Sequence, residues 1–231
     1  MRVKFALSTL IVLAVCISTA SANTITFTTP PGATTSGGAV NAQAVFTTGA
    51  GTLSITLTNL QANPTNVAQL LSDLSFTLSS SFAGAALSSS SGQEITVQGG
   101  GTFTLGSTVS TGWSLSSLGG NTLLLNVLGT PTGPAHLIIG PPGAGNVYSN
   151  ANGSIAGNGP HNPFLNQSAT FNISIAGVTA STTVTGATFS FGTTAGADNV
   201  PGTPPVPEPA SMLLMGTGLL GLGGLVRRRL R

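Results

Sequence analysis

Charge is what this chain has least of. Of 231 residues, six are Lys or Arg and four are Asp or Glu, 4% in all, against the roughly 25% of an ordinary soluble protein. The charge is also confined to the ends. Arg2 and Lys4 stand at the start and Arg227, Arg228, Arg229 and Arg231 at the finish, with no Lys or Arg between. Phosphate backbones are gripped by Lys and Arg, so nucleic acid is not expected as a partner, whatever the high isoelectric point suggests. Cysteine is nearly absent, with Cys16 alone, which excludes a disulfide framework and a zinc ribbon. Besides ten phenylalanines the aromatics are Trp113 and Tyr148, few for the stacking platforms of a typical carbohydrate site.

What is present is small, polar and apolar in alternation. Thirty-two glycines and 14 prolines make about a fifth of the chain, short of the roughly 25–30% that marks a structureless one. A hydrophobic content of 40% supplies enough apolar surface to offset the entropy of ordering. Solubility must come from hydroxyls and amides.

The N-terminus has the parts of a secretory signal. Arg2 and Lys4 form a basic n-region, Phe5 to Ile17 an apolar run, and Ala20-Ser21-Ala22 a small-x-small site that places cleavage before Asn23. The run is shorter than the roughly 20 residues a bilayer span needs. Leu13-Ala14-Val15-Cys16 is similar to a lipobox, but Val15 stands where a small residue is required. Residues 1–22 are therefore expected to be removed after export by the Sec machinery.

The C-terminus is built in three parts. Pro201-Gly-Thr-Pro-Pro-Val-Pro-Glu-Pro209 is a spacer unsuited to helix or central strand. Residues 210–226 carry no charge and, at about 1.5 Å per residue, reach across a thin bilayer core. Arg227, Arg228 and Arg229 follow at once as a stop-transfer cluster, and the positive-inside rule keeps them cytoplasmic. Gly216-x-Gly218-x-x-Gly221 matches a dinucleotide fingerprint letter by letter. It lacks the strand before it and the acidic residue after it, and small residues are common in membrane helices.

Val206-Pro207-Glu208-Pro209, a short apolar helix and terminal arginines, in that order and behind an export signal, resemble the PEP-CTERM sorting signal, here residues 206–230. The same module is also labelled the ice-binding protein C-terminal domain. The resemblance implies handling by an exosortase, a membrane enzyme acting near Pro-Glu-Pro. It also implies a precursor held in the inner membrane and a destination at the cell surface or in an exopolysaccharide matrix.

Residues 23–200 read as one Ser/Thr/Gly-rich β-domain. Thr24–Thr28, Leu53–Thr58, Leu74–Leu78 and Phe171–Ile175 alternate apolar and hydroxyl residues, the period of a half-buried strand. Glu94–Gln98, Gly101–Leu105, Leu123–Leu128, Leu137–Ile139 and Thr182–Phe191 add further strands, and residues 66–72 offer one short helical turn or an extension of the strand after it. The predicted class is all-β, an antiparallel β-sandwich or jelly roll. Residues 140–163 form the longest stretch without a strand, a length that points to function or disorder. It is expected to be ordered around Tyr148, His161 and Phe164, and Tyr148, Asn152 and His161 mark it as the place to seek a ligand.

Catalysis is not expected. Between the termini there are two histidines, His136 and His161, and carboxylates scattered over Asp73, Glu94 and Asp198. No Gly-x-Ser-x-Gly elbow occurs, and no spacing suits a metal or cofactor. His136 is expected at a strand end and Trp113 in the core or on a platform. The expected function is that of a structural or interaction protein on the cell surface or in its polysaccharide. The alternative is a carbohydrate- or ice-binding module on the same sorting signal.

Overall fold

The computed structural model describes residues 22–204. The signal segment with Ala20, the 210–226 span, the Val206–Pro209 motif and the arginines Arg227, Arg228 and Arg229 lie outside them. Ala22 is the first described residue and Asn23 opens the first strand.

The chain is all-β. Its strands are β1 (Asn23–Thr28), β2 (Thr34–Thr35), β3 (Gly38–Ala39), β4 (Ala42–Gly49), β5 (Thr52–Asn59), β6 (Leu71–Leu78) and β7 (Gly84–Val97). There follow β8 (Phe103–Val109), β9 (Ser114–Gly119), β10 (Thr122–Asn126), β11 (Ile138–Ile139), β12 (Phe164–Ala176), β13 (Val184–Phe191) and β14 (Asn199–Pro201). The turn at 66–72 is a 3-10 turn, Val67–Gln69. Asn66 caps it by accepting from Ala68 N, and the Gln69 side chain accepts from the Asn66 backbone N–H. Strand β6 starts two residues later.

Twelve strands form one large sheet that folds over on itself, an arrangement consistent with a β-sandwich. One half runs β1-β4-β5-β12-β7-β8 and the other β14-β13-β6-β10-β9. The short β11 joins them, pairing with β12 on one side and β6 on the other. Apolar residues on the inner faces meet between the halves. Phe46 of β4 packs on Phe76 of β6 with ring centroids 5.4 Å apart, and Trp113 packs on Phe171 of β12 at 5.1 Å. Phe27, Phe189, Phe191, Leu57 and Leu74 complete a dry core, and burying each such side chain contributes about 1.5–3 kcal/mol.

Several expected boundaries shift. Gly101 lies in a turn with φ of 85°, and β8 begins only at Phe103. The strand expected at 123–128 stops at Asn126, whose side chain turns back to bond both the N–H and the carbonyl of Leu128. The sheet is also mixed rather than wholly antiparallel, because β11 runs parallel to β12. A parallel pair needs a crossover of a dozen or more residues. Residues 140–163 are that crossover, which accounts for their length without invoking function.

Candidate functional site

The crossover is ordered by its own polar atoms. The Tyr148 ring is buried, 1% exposed, edge-on to Phe103 at 5.7 Å, and its hydroxyl donates to the Gly140 carbonyl at 2.9 Å. Burial pushes the Tyr148 phenol above its ordinary range. Asn63 N donates to Pro141 O at 2.8 Å, Asn152 N to Thr65 O at 2.8 Å, and Val67 N to Ser154 Oγ at 3.0 Å. Asn162 Oδ1 accepts from Val97 N at 2.8 Å. The crossover is thus tied to the 63–67 turn and to the end of β7.

Of the three residues singled out in this segment, two come together. Asn152 Oδ1 accepts from the Ser154 amide and hydroxyl, and His161 Nδ1–H donates to the Ser154 carbonyl at 2.6 Å. Tyr148 points the other way, into the core. Asn152 is exposed and His161 half-buried, so these two present the polar surface of the segment while Tyr148 holds it down.

The remaining titratable groups are spread through the fold. His136, in the left-handed region at φ 59°, precedes β11. Its Nε2 lies 3.1 Å from Glu94 Oε1 and its Nδ1 2.9 Å from the Thr111 carbonyl, while its own carbonyl accepts from Trp113 Nε1 at 3.0 Å. Trp113 is therefore core and not platform. Asp198 accepts from the Ser36 amide at 2.9 Å and from its hydroxyl at 2.6 Å. Asp73 sits mid-strand in β6 between Asn126 and Ser190. Burial raises its carboxyl above the ordinary value. Ser190 donates to Asn199 Oδ1, so its single hydroxyl hydrogen is not free for Asp73.

A broader feature lies on the outer face of the first half. Strand pairing brings Thr24, Thr47, Ser54, Asn172 and Ser89 into one row across five strands. The next row is Thr26, Val45, Thr56, Thr170 and Ser91, and a third is Thr28, Gln43, Thr58 and Ser168. Rows repeat every two residues, about 6.7 Å along the strands, and strands lie about 4.8 Å apart. None of these side chains is charged. Thr24 and Thr47 share a hydrogen bond of 3.2 Å, and Asn172 Nδ2 donates to Ser89 Oγ at 3.0 Å. Thr47, Ser54, Asn172, Ser88 and Ser174 also line a hollow of about 420 Å³. The alternating threonines showed in the sequence, but their alignment into rows depends on pairings between residues far apart, such as Ser54 with Asn172.

The domain closes at its C-terminal end. Gly202 N donates to Ala187 O at 2.8 Å, and Thr203 and Thr28 exchange backbone bonds of 2.8 and 3.0 Å. The spacer expected from 201 onward is seated on the sheet as far as 204, with Pro201 on β14, an edge strand that tolerates proline. Among the described residues no helix is long and apolar enough to cross a membrane.

Comparison with protein families matches the PEP-CTERM protein-sorting motif over residues 205–229. No curated protein and no solved structure matches the chain. The motif starts one residue beyond the last described residue. It marks the chain for export, for exosortase processing at the membrane and for sorting to the cell surface.

Proposed function

We propose that this is a non-enzymatic structural or interaction protein of the cell surface or its exopolysaccharide matrix. Its β-domain is delivered there when an exosortase processes the C-terminal signal. In the precursor, residues 210–226 span the inner membrane with Arg227, Arg228 and Arg229 on the cytoplasmic side. The carrying observation is the adjacency of the sorting motif at 205 to a domain that closes through Thr203 and Thr28. Truncation belongs after Pro204 rather than after Val200, which would cut the closing bridge. The truncated chain is expected to fold, to be exported and to appear in the medium, while the full chain remains with the cells. Equal partition of the two forms contradicts the reading.

The rows of hydroxyls and amides support a second reading, a module that binds a neutral hydroxylated surface, carbohydrate or ice. An uncharged face of short polar side chains loses little conformational entropy on contact and offers donors and acceptors at regular spacing. The test is co-sedimentation of residues 23–204 with the host's exopolysaccharide, beside an ice-recrystallisation assay. Thr56→Lys with Thr170→Lys is expected to abolish the positive result without unfolding the domain. Blank results in both assays retire this reading.

A further inference from the structure

The chain holds two Asn-Gly steps, Asn152-Gly153 and Asn158-Gly159, and both lie in the crossover. In such a step the glycine amide nitrogen can attack the asparagine side-chain carbonyl carbon, because glycine has no Cβ to crowd the approach. The two sites share a sequence and differ in their surroundings.

Asn152 is exposed, and its backbone is pinned. Its N–H donates to Thr65 O at 2.8 Å, and its carbonyl accepts from Ile155 N and Ala156 N at 3.0 and 2.9 Å. The side chain turns back over Gly153, with Oδ1 accepting from the Ser154 amide at 2.9 Å and the Ser154 hydroxyl at 2.5 Å. Val67 N donates to that hydroxyl oxygen at 3.0 Å and fixes it. Two donors on Oδ1 draw electrons from Cγ and meet the charge that grows on the oxygen when a nucleophile adds. Among the described residues, Asn152 Nδ2 and Gly153 N form no hydrogen bond. The leaving group and the attacking atom are both unencumbered.

Asn158 is held at the group that would have to leave. Its Nδ2 donates to Gly153 O at 3.0 Å, while its Oδ1 accepts a long bond of 3.3 Å from His161 N. It is half-buried, and its carbonyl accepts from Asn162 N at 3.0 Å and Asn162 Nδ2 at 2.9 Å.

We propose that Asn152 is a self-modification site, converting through a cyclic imide to aspartate or isoaspartate, while Asn158 is spared. Gly153 N attacks Asn152 Cγ, the Cγ–Nδ2 bond breaks, and the proton lost from Gly153 leaves with the nitrogen as ammonia. Solvent water then opens the ring at either carbonyl. The aspartate product keeps both Ser154 donors, now to a charged acceptor, so the turn survives the change. Residues 140–163 include no Asp, Glu, Lys or Arg. The reaction therefore gives the crossover a negative charge, beside His161, whose Nδ1–H donates to Ser154 O at 2.6 Å. This inference stands apart from the sorting reading.

The test incubates the full chain in detergent at mildly alkaline pH, once folded and once in concentrated urea. Chymotrypsin cuts after Tyr148 and Phe164, so one peptide carries both sites, and its fragment masses tell which amide has become an acid. In the folded chain, conversion at 152 is expected to run roughly tenfold faster than at 158, the factor that one hydrogen bond at the upper end of its usual worth sets. In urea the two rates are expected to converge. Gly153→Ala, whose added Cβ meets nothing within 4 Å, should suppress conversion at 152 without lowering the melting temperature. Equal rates at the two sites in the folded chain, an Asn152 that stays intact while folded, or undiminished conversion in Gly153→Ala overturns the proposal.

Discussion

Replacing Gly140 with alanine tests how the crossover is held. A Cβ there would run into the Gln61 carbonyl, lying 2.8 Å from its carbon and 3.1 Å from Asn59 Oδ1. The Gln61 obstruction is backbone, with no flexible side chain to yield. Asn59 is itself fixed, since its Nδ2 donates to Gln69 O and Ile138 O, both at 2.9 Å. Room for the methyl must come from moving the 59–61 segment away from β11, which also strains the Tyr148 bond to Gly140 O. Overpacking a tight site costs about 3 kcal/mol at the upper end of its usual range. For a domain of this size that lowers Tm by about 6–12 °C. Gly153→Ala is the control, because a Cβ there meets nothing within 4 Å and the backbone is not left-handed. Thermal denaturation of residues 23–204 followed by circular dichroism should show the large fall for Gly140→Ala and almost none for Gly153→Ala. Limited proteolysis should nick 140–163 faster in the first variant. Equal melting temperatures would refute the close approach that holds the crossover.

Three further outcomes follow from the packing. Asp73 binds its proton more tightly folded than unfolded, so its contribution to stability falls as pH rises from its ordinary 3.8 through the raised folded value. Asp73→Asn should raise Tm at neutral pH, with the gain disappearing below about pH 3.8; a gain constant with pH would contradict this. Ser72 Oγ is buried without a hydrogen-bond partner among the described residues, so Ser72→Ala should leave urea stability unchanged or raise it by about 1 kcal/mol, and a loss larger than that would show a missing partner. Phe46→Ala should cost about 3–5 kcal/mol, because its ring bridges Phe27 at 5.9 Å and Phe76 at 5.4 Å, and a cost under 1 kcal/mol would deny that the two halves share a core.

How much could be read beforehand depended on whether the signal was local. Strand β5 was legible because Leu53, Ile55 and Leu57 are large and alternate with hydroxyls. Strand β4 was not, since its buried positions include Ala42, Ala44 and Thr48 beside Phe46, and small inward residues barely mark the period. The first half of β7, Gly84 to Ser91, is almost all Ala and Ser and was hidden in the same way. The 140–163 segment is legible as a stretch free of strands, but its purpose, a crossover between parallel strands, depends on β11 pairing with β12. Tyr148 stands out in the sequence as a ligand candidate, yet the fold buries it, because burial of an aromatic is decided by the whole fold. The sorting motif, by contrast, is a linear pattern and needed no tertiary information.

The intact mass of the mature protein, recovered from the surface of its native host, bears most directly on the account. A chain that begins at Asn23 and ends close to Pro-Glu-Pro, without residues 210–231 and with or without attached sugar, is the predicted result. A cytosolic protein with the mass of all 231 residues would contradict it.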